Sequence, residues 1–179
     1  GTVASSLALA LAGPVTATGA WIAVVGLLEG RPYEIFTGKA EGAFQLPRSV
    51  NKGWVIKRRH AKAGKNIYDL QYADGDDYRV TIEGLSRTFD KEYWNYAKLI
   101  SGVLRYKMPI DLCIKLIGSL DLDSENINTW KNGVERALKK YVQDGTVVKG
   151  QKCPECGLES LIYQEGCLIC KCCGSTRCG

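Results

Sequence analysis

The chain has 179 residues, 45% of them hydrophobic and 24% charged, enough to bury one core and carry a small appendage. Its formal net charge of +5 is modest, and the basic residues are dispersed apart from Lys57-Arg58-Arg59 and Lys139-Lys140, so a dedicated nucleic-acid surface is not indicated. No stretch reaches the roughly 18–20 apolar residues that cross a bilayer.

Residues 1–20 superficially resemble a secretion signal but lack a basic start and an initiator Met. They are read as a poorly specified lead-in of open native origin, and the missing Met as a chain that begins inside a longer protein. Residues 21–28, then Glu29-Gly30-Arg31-Pro32, then residues 33–36 predict two strands across a tight turn, with Gly30 and Pro32 supplying the special backbone angles. The first of these strands is almost wholly apolar, which places it inside a sheet. Residues 38–47 read as a loop. Short β-rich runs at 54–57, 67–72 and 78–82 extend an antiparallel sheet.

The pattern then changes from a period of two to one near 3.6. Tyr93, Tyr96, Ala97, Ile100, Val103 and Leu104 share a face of a helix starting near residues 88–90 and ending near Lys107. Pro109 suits the first turn of a second helix, with Ile110, Cys113, Ile114 and Ile117 inward. Ile127, Trp130, Val134, Leu138 and Tyr141 mark a third, begun by Ser124 and stopped before Gly145. Strands first and helices after predict an α+β fold over residues 21–146, an antiparallel sheet with about three helices on one face. Little chemistry is evident in this body. His60 reads as solvent-facing, Cys113 as a buried core thiol, and Asp74, Asp76 and Asp77 as a turn rather than a cation loop.

Residues 147–179 differ, because seven of the eight cysteines fall in the last 27 positions. Cys153/Cys156 and Cys170/Cys173 are Cys-x-x-Cys pairs, each followed by a glycine, Gly157 and Gly174, that accepts the positive φ of a tight knuckle. Residues 160–164 and 168–169 flank Glu165-Gly166 as a short hairpin. Two knuckles thirteen residues apart on a hairpin predict a zinc ribbon, with Zn2+ held by Cys153, Cys156, Cys170 and Cys173. A disulfide framework would instead spread cysteines through the fold. Cys113, Cys167, Cys172 and Cys178 are then left over. Cys178, beside Arg177 on a Gly/Ser tail, is expected to be exposed and to favour the thiolate. Free thiols beside a metal site predict a reducing cytoplasm.

Glu29-Gly30-Arg31-Pro32-Tyr33-Glu34-Ile35-Phe36, the helical run from Tyr96 to Arg105 with Met108-Pro109-Ile110, and the cysteine motifs from Cys153 to Cys178 resemble the C-terminal region of class II, adenosylcobalamin-dependent ribonucleotide reductases. The resemblance runs from about residue 21 to the end, and the cysteine tail is its most specific part. It implies a part of a ribonucleoside-diphosphate reductase, an oxidoreductase of deoxyribonucleotide synthesis. The catalytic barrel, with its adenosylcobalamin, is absent from this chain and becomes a partner. It further implies that Cys178 re-reduces the active-site disulfide and is recharged by a thioredoxin-like reductant.

Two pairings stay open. With Cys153, Cys156, Cys170 and Cys173 on the metal, Cys167 is the partner of Cys178. With Cys153, Cys156, Cys167 and Cys170 on the metal, Cys173 is. The competing reading is a zinc-ribbon nucleic-acid module using Lys139, Lys140, Lys149, Lys152 and Lys171.

Overall fold

The computed structural model describes residues 3–12, 21–39, 47, 50, 52–59, 64–73, 77–121 and 125–178. His60, Asp74, Asp76, Ser124 and most of the predicted loop at 38–47 lie outside them.

Among the described residues, β1 (Val3–Ala12), β2 (Trp21–Leu28), β3 (Arg31–Lys39), β4 (Lys52–Arg59), β5 (Asn66–Ala73) and β6 (Arg79–Ile82) form one antiparallel sheet, ordered β3-β2-β1-β4-β5-β6. Four helices follow: α1 (Leu85–Thr88), α2 (Lys91–Arg105), α3 (Ile110–Gly118) and α4 (Glu125–Lys139). A second antiparallel sheet, β7 (Leu161–Gln164), β8 (Cys167–Cys170) and β9 (Thr176–Arg177), closes the chain. The fold is α+β, with one short helix more than the apolar periodicity predicts.

Residues 3–12, expected only as lead-in, instead form a strand inside the sheet, paired with β2 on one side and β4 on the other. The predicted turn after β2 also sits differently. Glu29 (φ 52°) and Gly30 (φ 77°) occupy the left-handed positions of a two-residue hairpin turn, while Pro32 lies within β3 beside a register shift at Gly26/Leu27. Proline is tolerated there because β3 is an edge strand beside a bulge.

Both faces of the sheet are buried, rather than one. Trp21, Ala23 and Val25 of β2 and Ile35 of β3 pack with α2, α3 and α4. Ile22, Val24 and Phe36 turn the other way, toward Val55, Leu70, Tyr72, Leu85 and Phe89. Phe36 on β3 and Tyr68 on β5 have ring centroids 5.2 Å apart. In a flat sheet these strands, four spacings apart, would be separated by about 19 Å. The sheet is therefore curled, and its concave side is a second core.

α2 lies along the free edge of β3. The Ile35 N–H donates to Ser101 Oγ at 3.0 Å, and the Ser101 hydroxyl donates to the Ile35 carbonyl at 3.1 Å, so one buried serine satisfies both backbone groups that a neighbouring strand would have taken. Arg31 donates to the carbonyls of Leu104 and Met108 at 3.0 and 2.7 Å, fixing the C-terminal end of α2. Trp130 of α4 donates to Thr37 Oγ1 at 2.9 Å, joining α4 to β3.

The second sheet shares this core. Tyr163 and Leu168 are buried with the residues of α2, α3 and α4. Val147, ahead of the first knuckle, bridges to Ile162, and the amide of Gly145 donates to the Tyr163 carbonyl at 2.7 Å. Asp144 Oδ1 accepts the Glu165 N–H at 2.7 Å, anchoring the β7–β8 turn beyond the end of α4. The cysteine-rich segment is thereby seated on the helices.

Candidate metal centre

Glu165 (φ 49°) and Gly166 (φ 76°) form the two-residue turn between β7 and β8, which sets Leu161 opposite Cys170 and Gln164 opposite Cys167. β8 thus carries a cysteine at each end. Three residues of strand separate them by roughly 10 Å.

At the Cys170 end the two knuckles repeat one another. The amide of Gly157 donates to the Cys153 carbonyl at 2.8 Å, and that of Gly174 to the Cys170 carbonyl at 2.9 Å. The Cys153 amide donates to the Leu158 carbonyl and the Cys170 amide to that of Ser175, both at 2.9 Å. Gly157 and Gly174 have φ of 73° and 74°, a conformation that a side chain would oppose. Two equivalent loops, facing each other, bring four sulfurs together. The Sγ atoms of Cys153, Cys156, Cys170 and Cys173 all lie within 4.8 Å of one another, with Cys153 to Cys173 at 3.7 Å and Cys156 to Cys170 at 3.6 Å.

Hydroxyls and amides complete the environment. Ser160 Oγ is 2.9 Å from Cys170 Sγ, and Ser175 Oγ is 3.3 Å from the sulfurs of both Cys153 and Cys173. The Ser160 hydroxyl and the amides of Cys173 and Cys172 hold the Cys170 thiol down to about 6. Ser175, helped by the amides of Cys156 and Glu155, lowers Cys153 as well. At Cys156 the Leu158 amide favours the thiolate, but desolvation and the neighbouring Cys170, Cys153 and Cys173 outweigh it, pushing the thiol up to about 12. Four sulfurs this close cannot all ionise unless a cation lies among them. The cluster could hold a metal ion.

The other end of β8 behaves differently. β9 pairs Arg177 with Leu168 and Thr176 with Ile169, so the next pair along the ladder is Cys178 with Cys167. These two are joined in a disulfide, with Cα atoms 4.4 Å apart. Cys178 is exposed and Cys167 half-buried. The free tail thiol expected at Cys178 is here bonded, and Cys167 is not among the four converging sulfurs. Cys173 is among them, and Cys172 is a free, exposed thiol. Cys113, far back in the chain, is 1% exposed and pushed up to about 11 by burial against the weaker opposing pull of Arg31. Of the lysines weighed for nucleic acid, Lys139 and Lys149 line a common cavity, whereas Lys140, Lys152 and Lys171 are simply exposed. The serines were missed in sequence. Each lies two to four positions outside a knuckle, which is the signal that could have found them.

Fold and site together define an α+β domain with a four-cysteine cluster and a separate cysteine pair on its last strands. The chain belongs to the family of NrdJ homologue C-terminal domains, whose model matches residues 15–143, and it contains a C-terminal region related to the class II ribonucleotide reductase NrdJ. The match ends before Cys153, so the cysteine motifs lie outside it. No curated protein and no solved structure matches the chain. Among the described residues, no helix is long and apolar enough to cross a membrane.

Proposed function

We propose that the chain is the C-terminal part of an adenosylcobalamin-dependent ribonucleotide reductase and relays electrons to the active-site disulfide through Cys167 and Cys178. The observation that carries this reading is the placement of sulfur: a bonded pair at an exposed end of β8–β9, apart from the four-cysteine cluster. The family match supports the relation to a reductase.

On this reading Cys153, Cys156, Cys170 and Cys173 hold Zn2+ as a zinc ribbon. A tetrahedral ion with Zn–S bonds near 2.3 Å sets its sulfurs about 3.8 Å apart, and the separations of 3.7 and 3.6 Å suit it. Zinc has no redox chemistry, so its contribution is shape. Ser160, Ser175 and the knuckle amides orient and stabilise the thiolates. Adenosylcobalamin supplies radical initiation in the catalytic barrel, and no residue described here is assigned to it.

The relay is thiol–disulfide exchange. With the tail reduced, the Cys178 thiolate attacks one sulfur of the barrel's disulfide, forming a mixed disulfide and expelling a thiolate that takes up a proton. Cys167 then attacks Cys178, closing the tail disulfide and releasing the second thiol. Two electrons and two protons pass to the barrel. A thioredoxin-like dithiol reverses the tail's oxidation by the same two steps, and a reducing cytoplasm is the compartment in which it would act. Cys178, at the exposed end of the two-residue β9, has little structure to give up as it moves.

In the complete reductase, Cys178→Ser should abolish turnover driven by a thioredoxin-like protein and leave turnover driven by a small dithiol near the parent rate. Equal loss under both reductants would refute the relay.

A further inference from the structure

A cavity of about 740 Å³ lies where α3 and α4 meet the second sheet. That size falls in the range of roughly 300–1,000 Å³ usual for small-molecule sites. Five cationic side chains line it: Lys115 from α3, Arg136 and Lys139 from α4, Lys149 from the turn that precedes the second sheet, and Arg177 from β9. Two carboxylates, Asp111 and Glu135, oppose them, leaving a formal surplus of three positive charges. Among the described residues, none of the five cations forms an ion pair, since the pairs observed there are Arg58 with Asp69 and Arg105 with Glu34.

Arg136 is only partly buried where it lines this cavity, which leaves part of it open to a ligand there. The same cavity has an apolar side, contributed by Leu112, Val148, Tyr163 and Leu168. Inorganic phosphate alone would leave most of the volume and all of that apolar wall uncovered. A molecule with phosphate at one end and an aromatic or apolar body at the other covers both.

We propose that this cavity binds a phosphorylated small molecule, its phosphates held by Arg136, Lys115, Lys149 and Arg177 and its body laid against Tyr163, Leu168 and Leu112. The arrangement uses two helices and the second sheet at once, so the ligand also joins the cysteine-bearing segment to the helices. None of its phosphate contacts is a cysteine, so binding can be tested without the relay, although Arg177 adjoins Cys178 at the end of β9.

The test is calorimetric titration of the full 179-residue chain with ADP, with adenosine and pyrophosphate as half-ligands. ADP should bind once per chain with Kd below about 1 mM, and more tightly than either half. Arg136→Gln and Lys149→Gln should each weaken ADP about tenfold, the usual scale for one charged hydrogen bond. Lys98→Gln, on the exposed side of α2, should leave it unchanged. Lys149 is exposed, so its variant keeps the test decisive even if Arg136→Gln disturbs folding. The proposal is overturned if ADP gives no saturable binding, if both cavity variants bind as the parent does, or if adenosine or pyrophosphate matches ADP.

Discussion

Ser101→Ala isolates the device that lets a helix take the place of a strand beside β3. The hydroxyl is buried, accepts the Ile35 N–H at 3.0 Å and donates to the Ile35 carbonyl at 3.1 Å, with Ile35 itself 1% exposed. Removing it leaves a buried amide with no partner, which costs about 1–3 kcal/mol. Ser101 is also a mid-helix residue, where alanine is intrinsically better by at most ~0.7 kcal/mol. Propensity and burial thus predict opposite signs, and burial is the larger. A net loss of about 1–2 kcal/mol follows, or a fall in Tm of roughly 2–8 °C for a chain of this size. Urea unfolding followed by tryptophan fluorescence measures it, with Ser119→Ala as a reference, because the Ser119 hydroxyl is exposed and bonds only its own helix end. If Ser101→Ala is as stable as the parent or more so, α2 does not cap the sheet edge and the account of the fold's assembly is wrong.

Other consequences are open to measurement. Cys113, pushed up to about 11 by burial, carries roughly 0.1% thiolate at pH 8, so iodoacetamide should label it in the denatured chain and spare it in the native one. The stability that goes with its neutral thiol is complete below the unfolded pKa of about 8.5 and is lost as pH rises through 11, which should appear as a falling alkaline limb that Cys113→Ala flattens. Burial of Asp69 raises its pKa, but Arg58 and the Gly84 amide outweigh that and hold the carboxyl below its usual range. Its contribution is therefore present above the unfolded value of about 3.9 and disappears as pH falls through the lower folded one, and Asp69→Asn should remove that part of the acid limb in urea titrations from pH 7 to pH 2.

Much of the architecture could be read from local chemistry. The starts of α2, α3 and α4 follow from apolar spacing and turn residues within about three positions, because each helix buries an apolar stripe, whereas α4 stops at Lys139, short of the predicted stop before Gly145, and the chain continues in turns. The knuckles are legible because Cys-x-x-Cys followed by glycine specifies its own backbone. β1 was missed although Leu7, Leu9 and Leu11 alternate with Ala8, Ala10 and Ala12, a period of two hidden by a composition that resembles a leader segment. The curl of the sheet was out of reach. It depends on Phe36, Tyr68 and Trp94 meeting across residues far apart in the chain, with centroid distances of 5.2, 5.5 and 6.2 Å. The partner of Cys178 was ambiguous for a related reason. Spacing alone allowed Cys167 or Cys173, and it is the β8–β9 register that brings Cys167 alongside.

The most direct test of the proposed relay counts metal and maps thiols on the same reduced sample, using zinc analysis and site-resolved alkylation with and without a chelator. One zinc per chain should be found, with Cys167, Cys172 and Cys178 alkylated at once and Cys153, Cys156, Cys170 and Cys173 alkylated only after the chelator removes the ion. Protection of Cys178 or Cys167 by the metal, or a chain that binds no zinc, would contradict the separation of a shaping cluster from an exchanging pair.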